Sequence, residues 1–301
     1  MCKSNEFLDD FKIGHVTDSE NGTGVTVIIA ENGATGGASI LGASPATRET
    51  DLLRNGKTVQ ELNAVVLSGG SAFGLEAASG VTEWLFKRGF GYRAGKYRVP
   101  IVAGASLFDL EYKNFSYPKK DDGYRAASVA HSGNFARGDI GAGTGATVGK
   151  ILGNARAMKG GLGTSLLNDD GGLQAAFIVA VNAVGDILDT DGAIIAGARI
   201  FGKFVNSKLI YDKIVPKTLK NTNTTIGCLI TNAKLTRAEA NEIAEAAHAG
   251  YAAVTSPDHT PFDGDAVFVM ASGHVKGAAD RLKAWSPKLA AQAILSVFKK
   301  D

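Results

Sequence analysis

Five short runs rich in apolar and β-branched residues constrain this chain more than any other feature of its sequence. The last three runs are almost continuously apolar, which is typical of strands that are buried on both faces and therefore need cover from neighbouring layers. Predicted helices do not alternate regularly with these runs, which argues against a Rossmann sheet and favours a layered α+β sandwich. The predicted strands are residues 24–30, 63–67, 174–181, 226–230 and 266–270.

Helical signals are fewer but specific. An apolar stripe at helical spacing predicts a helix over residues 72–87. A capping box at Thr236 begins a second helix, and Gly250 is the residue expected just beyond its end. Ser286 and Pro287 are typical of an N-cap and a first helical position, so they predict where the last helix begins.

Composition excludes several classes of protein. Thirty-eight of the 301 residues are glycine, which indicates many tight turns and close backbone contacts. A net charge of +2 is too balanced for a protein that binds nucleic acid or an anionic membrane. Two cysteines cannot form a disulfide framework, and neither a secretory signal nor an apolar run of membrane-spanning length is visible. We therefore expect a cytoplasmic protein without nucleic-acid or membrane partners.

The sequence does not match the common nucleotide-binding and metal-binding motifs. The glycine-rich stretch 141–150 has Thr144 where a phosphate loop requires glycine. It is followed by Ile151, where such a loop requires serine or threonine. The five histidines show no close metal-type pairing, so we expect no metal and no cofactor. Ser71 follows a predicted strand and precedes a predicted helix. The backbone amides around Ser71 either bind an oxyanion or are simply the first amides of a helix whose N-cap is Ser71.

Thr224 stands where a polar connection enters a buried-type strand. A chain cut before it would free an α-amine with a pKa of about 7.7–8.0, which is able to act as the base for its own hydroxyl. Without further evidence, an Asn/Thr turn ahead of a strand is the commoner interpretation. Asp263 and Asp265 share one face ahead of another strand, where a carboxylate would polarise an amine or hydroxyl. Lys150 and Asn182 end two further runs, and a buried asparagine requires hydrogen-bond partners.

Five motifs, taken in order, resemble the L-aminopeptidase/D-esterase family, which includes β-aminopeptidases and the nylon-oligomer hydrolases that cleave 6-aminohexanoate amides. Each motif alone is weak, but together they extend the resemblance from about residue 14 to residue 298. The resemblance implies one domain over residues 1–301, folded as a four-layer αββα sandwich like that of N-terminal-nucleophile hydrolases. The motifs are LSGGSAFGLEAASGV, GAGTGATVGK, VAVNAVGD, NTTIG and HTPFDGD.

The same resemblance implies self-cleavage between Asn223 and Thr224, into subunits of residues 1–223 and 224–301. Thr224 then becomes the nucleophile that attacks a small amide or peptide through an acyl-threonine intermediate. The other expected roles are activation by Asp263 and Asp265, a lysine near the nucleophile at Lys150, and oxyanion stabilisation by Asn182 with the amides of Gly70, Ser71 and Ala72.

The Asn-Thr-Thr sequence and the paired aspartates are closer to nylon-oligomer hydrolases than to the serine-type aminopeptidases. Phe108 is a departure, because those hydrolases carry tyrosine in this segment, and it is expected to line the substrate site. Relatives assemble as tetramers or larger, so we expect a homo-oligomer. Two alternatives stay open: a non-catalytic binding or assembly member of the fold, and an acyltransferase of the ornithine acetyltransferase type.

Overall fold

The computed structural model describes residues 7–214 and 223–299, and within them nine strands form one hydrogen-bonded sheet. Their order is β6-β7-β8-β9-β2-β4-β5-β3, with β1 beside β2. The pairs β8–β9 and β4–β5 are parallel and the others antiparallel. The strands are β1 Lys12–Asp18, β2 Thr23–Ile40, β3 Thr47–Arg48, β4 Glu61–Ser68, β5 Val102–Ser106, β6 Gly161–Asn168, β7 Gln174–Asn182, β8 Thr224–Ala233 and β9 Ala266–Val275.

Six helices and several short strands surround this sheet in the described ranges. None of these helices is long and apolar enough to cross a membrane. The helices are α1 Ser71–Gly74, α2 Ala77–Lys87, α3 Lys120–Ser128, α4 Ser207–Lys213, α5 Arg237–Val254 and α6 Ala279–Ser296, with 3₁₀ turns at Asp51–Leu53, Gly141–Gly143 and Asn154–Arg156. The short strands are Tyr92–Ala94, Tyr97–Val99, Thr147–Val148, Met158–Lys159, Asp186–Leu188, Ile194–Ala196, Arg199–Ile200, Lys203–Phe204 and Thr255–Ser256.

The sheet folds into two layers because β2 belongs to both. Residues 25–29 and 34–35 of β2 pair with β4, and residues 35–40 pair with β9. Val65 of β4 and Phe268 of β9 lie in one apolar cluster, so the two halves of the sheet face each other. The opposite faces are covered by helices: α5 and α6 pack against β7 to β9, and α2 and α3 pack against β2 and β4. This arrangement confirms the predicted αββα sandwich.

All five predicted strands are present, and apolar runs buried on both faces are explained by the four layers. The helix predicted over residues 72–87 is instead divided into α1 and α2. Across the division, the amides of Glu76 and Ala78 bond to carbonyls three residues earlier, which is the 3₁₀ pattern. The apolar stripe therefore identified the buried face of α2, but it missed the change in helical winding and wrongly included the exposed Phe73 of α1.

The predictions that Gly250 follows one helix and that Pro287 begins another are both wrong, and these two residues lie in contact. Helix α5 continues through Gly250 to Val254, and α6 begins at Ala279 with Pro287 in its interior. A Cβ at Gly250 would lie 2.0 Å from the carbonyl oxygen of Pro287, so glycine permits the two helices to approach closely. Pro287 has no N–H for the Lys283 carbonyl, which instead accepts a 3.2 Å hydrogen bond from the Ser286 hydroxyl.

Candidate active site

Strand register brings the predicted site residues together at one end of the sheet. Asn182, the last residue of β7, is the Cα partner of Thr224, the first residue of β8. One residue earlier, Asn223 forms an isolated parallel bridge with Asp263, just ahead of β9. The site therefore lies where three neighbouring strands begin or end.

Thr224 lies against the carbonyl group of the preceding residue. Its side chain is buried, and Oγ1 donates a short hydrogen bond to the carbonyl oxygen of Asn223. The same oxygen accepts a 2.9 Å hydrogen bond from the Gly264 amide. A Cβ at Gly264 would stand 2.9 Å from Thr224 Oγ1 and 2.5 Å from the carbonyl oxygen of Ser44, so only glycine leaves room for the hydroxyl. This carbonyl is thus polarised by a backbone donor while a hydroxyl lies beside it.

Asp263 is buried, and its carboxyl group has a pKa close to neutral pH. Burial and the charge of Asp265 raise the pKa of Asp263 to about 7, against the opposing effects of Thr260 and Lys150. Its Oδ2 accepts hydrogen bonds of 2.9 Å from the Thr260 amide and 2.5 Å from the Thr260 hydroxyl. A carboxyl group with such a pKa is able both to take up and to release a proton near pH 7.

Asp265 connects the strand that carries Thr224 to a histidine. Its Oδ1 accepts a 2.6 Å hydrogen bond from the amide of Thr225, and its Oδ2 lies 2.7 Å from Nδ1 of His259. Sequence reasoning missed His259, although it is the first residue of the HTPFDGD motif. Only its distance from Asp265 in the folded chain distinguishes it from the other histidines.

Lys150 and Asn182 form a buried pair beside the nucleophile candidate. Nζ of Lys150 donates to the backbone oxygen of Asn182 at 2.9 Å and to its Oδ1 at 2.8 Å. Burial lowers the pKa of Lys150 to about 7, although the charges of Asp263, Asp265 and Asp109 oppose the shift. Lys150 thus lies beside Asn182, whose Cα partner is Thr224, and its expected role near the nucleophile stays a prediction.

The amides of Gly70 and Ser71 are not available in the way the sequence suggested. The Gly70 amide donates to Oδ1 of Asp109 at 2.7 Å, and the Ser71 amide donates to the carbonyl oxygen of Leu107 at 2.8 Å. Ser71 does not cap α1 either, because the N-cap residue is Gly70 and Ser71 is the first residue of the helix. In this arrangement both expectations for Ser71 are wrong, whereas a role for the Ala72 amide stays a prediction.

Asp109 is a second functional candidate that the sequence did not reveal. Its oxygens accept hydrogen bonds from the Gly70 amide and, at 2.8 Å, from the Thr23 hydroxyl. Burial raises the pKa of Asp109 to about 6, despite these two bonds. Only the fold brings its partners within reach, since they lie 39 and 86 residues away along the chain.

A cavity of about 330 Å³ opens beside Lys150. Phe108 lines it, and the contact of this residue with substrate stays a prediction. Among the described residues, no group of three or more His, Cys, Asp or Glu side chains is placed to hold a metal ion. The lining residues are Phe108, Asp109, Glu111, Tyr112, Gly145, Thr147, Lys150, Asn154, Ala157, Met158 and Lys159.

The four layers are the fold of N-terminal-nucleophile (Ntn) hydrolases. A β-aminopeptidase of Burkholderia sp. superimposes with a TM-score of 0.69 at 19% identity, over 95% of this chain and 83% of that chain. The L-aminopeptidase D-Ala-esterase/amidase of Ochrobactrum anthropi, described as a new variant among the Ntn hydrolase fold, superimposes with a TM-score of 0.70 at 16% identity. It covers 96% of this chain and 84% of that chain. At such identities the likeness shows the fold alone.

The chain belongs to peptidase family S58, whose model matches residues 8–299. It is accordingly a hydrolase that acts on amide bonds. A Mycobacterium tuberculosis protein named as an uncharacterized aminopeptidase is 38% identical over 262 residues, which are 84% of this chain and 74% of that protein. A 6-aminohexanoate-oligomer endohydrolase of Agromyces sp. is 30% identical over 221 residues, which are 71% of this chain and 61% of that enzyme.

Proposed function

We propose that the chain is a self-processing amide hydrolase whose nucleophile is Thr224. The position of Thr224 Oγ1 on the Asn223 carbonyl, together with the Gly264 amide on the same oxygen, carries this proposal. A nucleophile and an oxyanion donor that meet at one carbonyl are the two groups an acyl transfer requires.

Self-cleavage begins when Thr224 Oγ1 attacks the carbonyl carbon of Asn223. The bond between that carbon and the Thr224 nitrogen breaks, an ester to Oγ1 forms, and the hydroxyl proton passes to the departing amine. The Gly264 amide stabilises the oxyanion, and Asp263 is the buried carboxyl suited to relay the proton. Water then hydrolyses the ester, which leaves a carboxylate on Asn223 and a free amine on Thr224.

In the second stage the new Thr224 amine takes the proton from its own hydroxyl, which attacks a substrate amide. Asn182 is placed across the strand pair to donate through Nδ2, because its Oδ1 already accepts from Lys150. The leaving amine departs with a proton, and water releases the acyl group from Thr224. The cavity beside Lys150 receives one part of the substrate.

The relatives favour two substrate classes, peptides with a free amino end and oligomers of ω-amino acids. The mycobacterial relatives are named aminopeptidases, and the Agromyces enzyme is named for 6-aminohexanoate oligomers. Both classes present an unactivated amide near an amine, so we propose that this chain acts on one of them. Assembly as a tetramer or larger and a cytoplasmic location stay predictions.

The intact mass of the purified wild type beside Thr224→Ala tests the proposal. We expect the wild type to appear as pieces of 223 and 78 residues and the alanine variant to remain a 31.2 kDa chain. Thr225→Ala is the matched control, since that hydroxyl belongs to the next residue, and it should still be cut after Asn223. An uncut wild type would contradict the proposal and favour a binding or assembly role.

Substrate assays follow on the processed protein. We expect hydrolysis of aminoacyl anilides or of 6-aminohexanoate oligomers, with a transient acyl-Thr224 species visible by mass. A processed protein that hydrolyses neither amide but transfers the acyl group to an added amine would favour the acyltransferase alternative. Processed protein with no acyl-Thr224 species would contradict the second stage alone.

A further inference from the structure

We propose that His259 is a positioning residue that holds Asp265, and through it the Thr224–Thr225 peptide group, in the arrangement that self-cleavage and turnover require. This inference rests on the proposed function of Thr224. It concerns a side chain that lies within the HTPFDGD motif but has no role in the mechanism above.

Two hydrogen bonds connect His259 through Asp265 to the peptide group that follows the nucleophile. His259 Nδ1 donates to Oδ2 of Asp265, whose Oδ1 accepts from the amide of Thr225. That amide belongs to the peptide group immediately after Thr224, so the carboxylate holds the backbone that carries Oγ1. Asp265 is 4% exposed, and each of its oxygens is committed to one of these two bonds. Removal of the imidazole would leave one oxygen of a buried carboxylate without this donor.

The protein also holds His259 in an unusual backbone conformation. Its φ of +44° is in the left-handed region, which residues other than glycine seldom adopt. Its ring packs on helix α5, with centroid distances of 4.8 Å to His248 and 6.2 Å to Tyr251. A side chain held on both its backbone and its ring has one direction in which to present Nδ1, which is toward Asp265. Unfavourable backbone geometry retained at a site is a reason to look for a role there.

The surrounding charges favour an ion pair between His259 and Asp265. Burial lowers the pKa of His259, but the hydrogen bond and charge of Asp265 and the charge of Asp258 outweigh it, so the pKa is raised. Asp258 approaches the other ring nitrogen, with Oδ2 3.7 Å from Nε2. From α5, burial keeps His248 neutral, with a pKa of about 4, and raises the pKa of Tyr251. A protonated His259 therefore faces carboxylates and uncharged rings.

Two further charged groups face Asp265 from the side of the nucleophile. Lys150 and Asp263 both interact with the charge of Asp265, and both have a pKa of about 7. When pH rises through the pKa of His259, the ring loses its charge, but its Nδ1–H continues to donate. We therefore expect positioning to weaken at higher pH without being lost.

The rate of self-cleavage, followed by intact mass after synthesis in a cell-free system, tests this role. We expect His259→Ala to slow cleavage about ten- to a hundredfold, the effect of a lost hydrogen bond to a buried charged group. His259→Asn, whose Nδ2 replaces Nδ1, should recover most of the rate but lose the decline at higher pH that titration of His259 adds to the effects of Lys150 and Asp263. His274→Ala is the matched control, since that histidine is exposed and contacts Asp10. Wild-type rates in His259→Ala would overturn the proposal.

A spectroscopic measurement tests the same contact without replacing His259 and without an assay of activity. In the uncleaved Thr224→Ala chain, nitrogen-15 NMR of the His259 ring should show a proton on Nδ1 with a strongly downfield shift. Asp265→Asn in the same background should remove that shift, whereas His274→Ala should not change it. A His259 ring without a proton on Nδ1 would overturn the inference even if cleavage is confirmed. A wild type that never cleaves would instead remove the proposed function and leave the His259–Asp265 pair measurable.

Discussion

Nζ of Lys150 donates to both oxygens of Asn182, at 2.9 Å to the backbone oxygen and 2.8 Å to Oδ1. Thr147 adds a third bond, from its amide to the same Oδ1 at 3.0 Å. Because two donors hold Oδ1, the amide group of Asn182 has a defined orientation, with Nδ2 turned to the carbonyl oxygen of Phe108 at 3.3 Å. Lys150 and Thr147 together therefore fix the direction in which Asn182 points its Nδ2.

Replacement of Asn182 should separate turnover from self-cleavage. Asn182→Asp keeps an acceptor for Lys150 but lacks the Nδ2 donor, so we expect kcat to fall about 10²- to 10³-fold, as for loss of one oxyanion donor. Self-cleavage should continue, because the Gly264 amide serves the Asn223 carbonyl. Intact mass and amide hydrolysis by the processed protein measure the two effects. Near-normal turnover in Asn182→Asp would remove Asn182 from the site.

Much of the fold was predictable because burial on both faces leaves a direct record in the sequence. After Gln174 at its start, the run 174–181 is entirely apolar, and the fold places it between the facing sheet and α5 with α6. Helix ends were harder to predict, since Gly250 and Pro287 carry local signals that the contact between the two helices overrides.

The candidate site was predictable where family motifs contain its residues, since residue type alone favours a simple Asn/Thr turn at Thr224. Thr224, Asp263 and Asp265 belong to the NTTIG and HTPFDGD motifs, and strand pairing in the fold brings them to one edge of the sheet. The oxyanion prediction for Gly70 failed because a carboxylate 39 residues away, Asp109, takes its amide. His259 was not foreseen for a related reason, because its backbone conformation and ring contacts exist only in the folded chain.

Gly264→Ala should slow self-cleavage by crowding the nucleophile. The added methyl group would lie 2.9 Å from Thr224 Oγ1 and 2.5 Å from the carbonyl oxygen of Ser44. The atoms around the methyl group must move to make room for it. We expect the Thr224 hydroxyl to leave the Asn223 carbonyl, so that uncut chain accumulates. Gly171→Ala is the control, since its nearest contact, at 3.3 Å, is the carboxylate end of the Asp169 side chain. Equal cleavage by the two variants, measured by intact mass over time, would contradict the crowding at Thr224.

Lys150→Met should change how stability depends on pH, measured in the uncleaved Thr224→Ala chain. Burial lowers the pKa of Lys150 from 10.5 to about 7, so between these values the unfolded chain binds more protons than the folded one. The free energy of unfolding should therefore rise with pH across this window, by up to about 1.4 kcal/mol per pH unit, and this stabilisation is lost as pH falls through 7. Denaturant unfolding at pH 7, 8 and 9 should show a smaller rise, or a fall, in Lys150→Met. Parallel curves for the two proteins would mean that Lys150 titrates normally.

Phe108→Tyr should alter substrate choice without affecting self-cleavage. Phe108 lines the cavity beside Lys150, and tyrosine would add a hydroxyl there, as the resemblance to nylon-oligomer hydrolases implies. One hydrogen bond to a substrate amide contributes about 1 kcal/mol, so we expect kcat/KM for 6-aminohexanoate oligomers to rise about fivefold relative to aminoacyl anilides. Phe115→Tyr is the matched control, because Phe115 is 70% exposed and does not line the cavity. The ratio of the two kcat/KM values is the measurement, and an unchanged ratio in Phe108→Tyr would show that the ring of residue 108 does not meet the substrate.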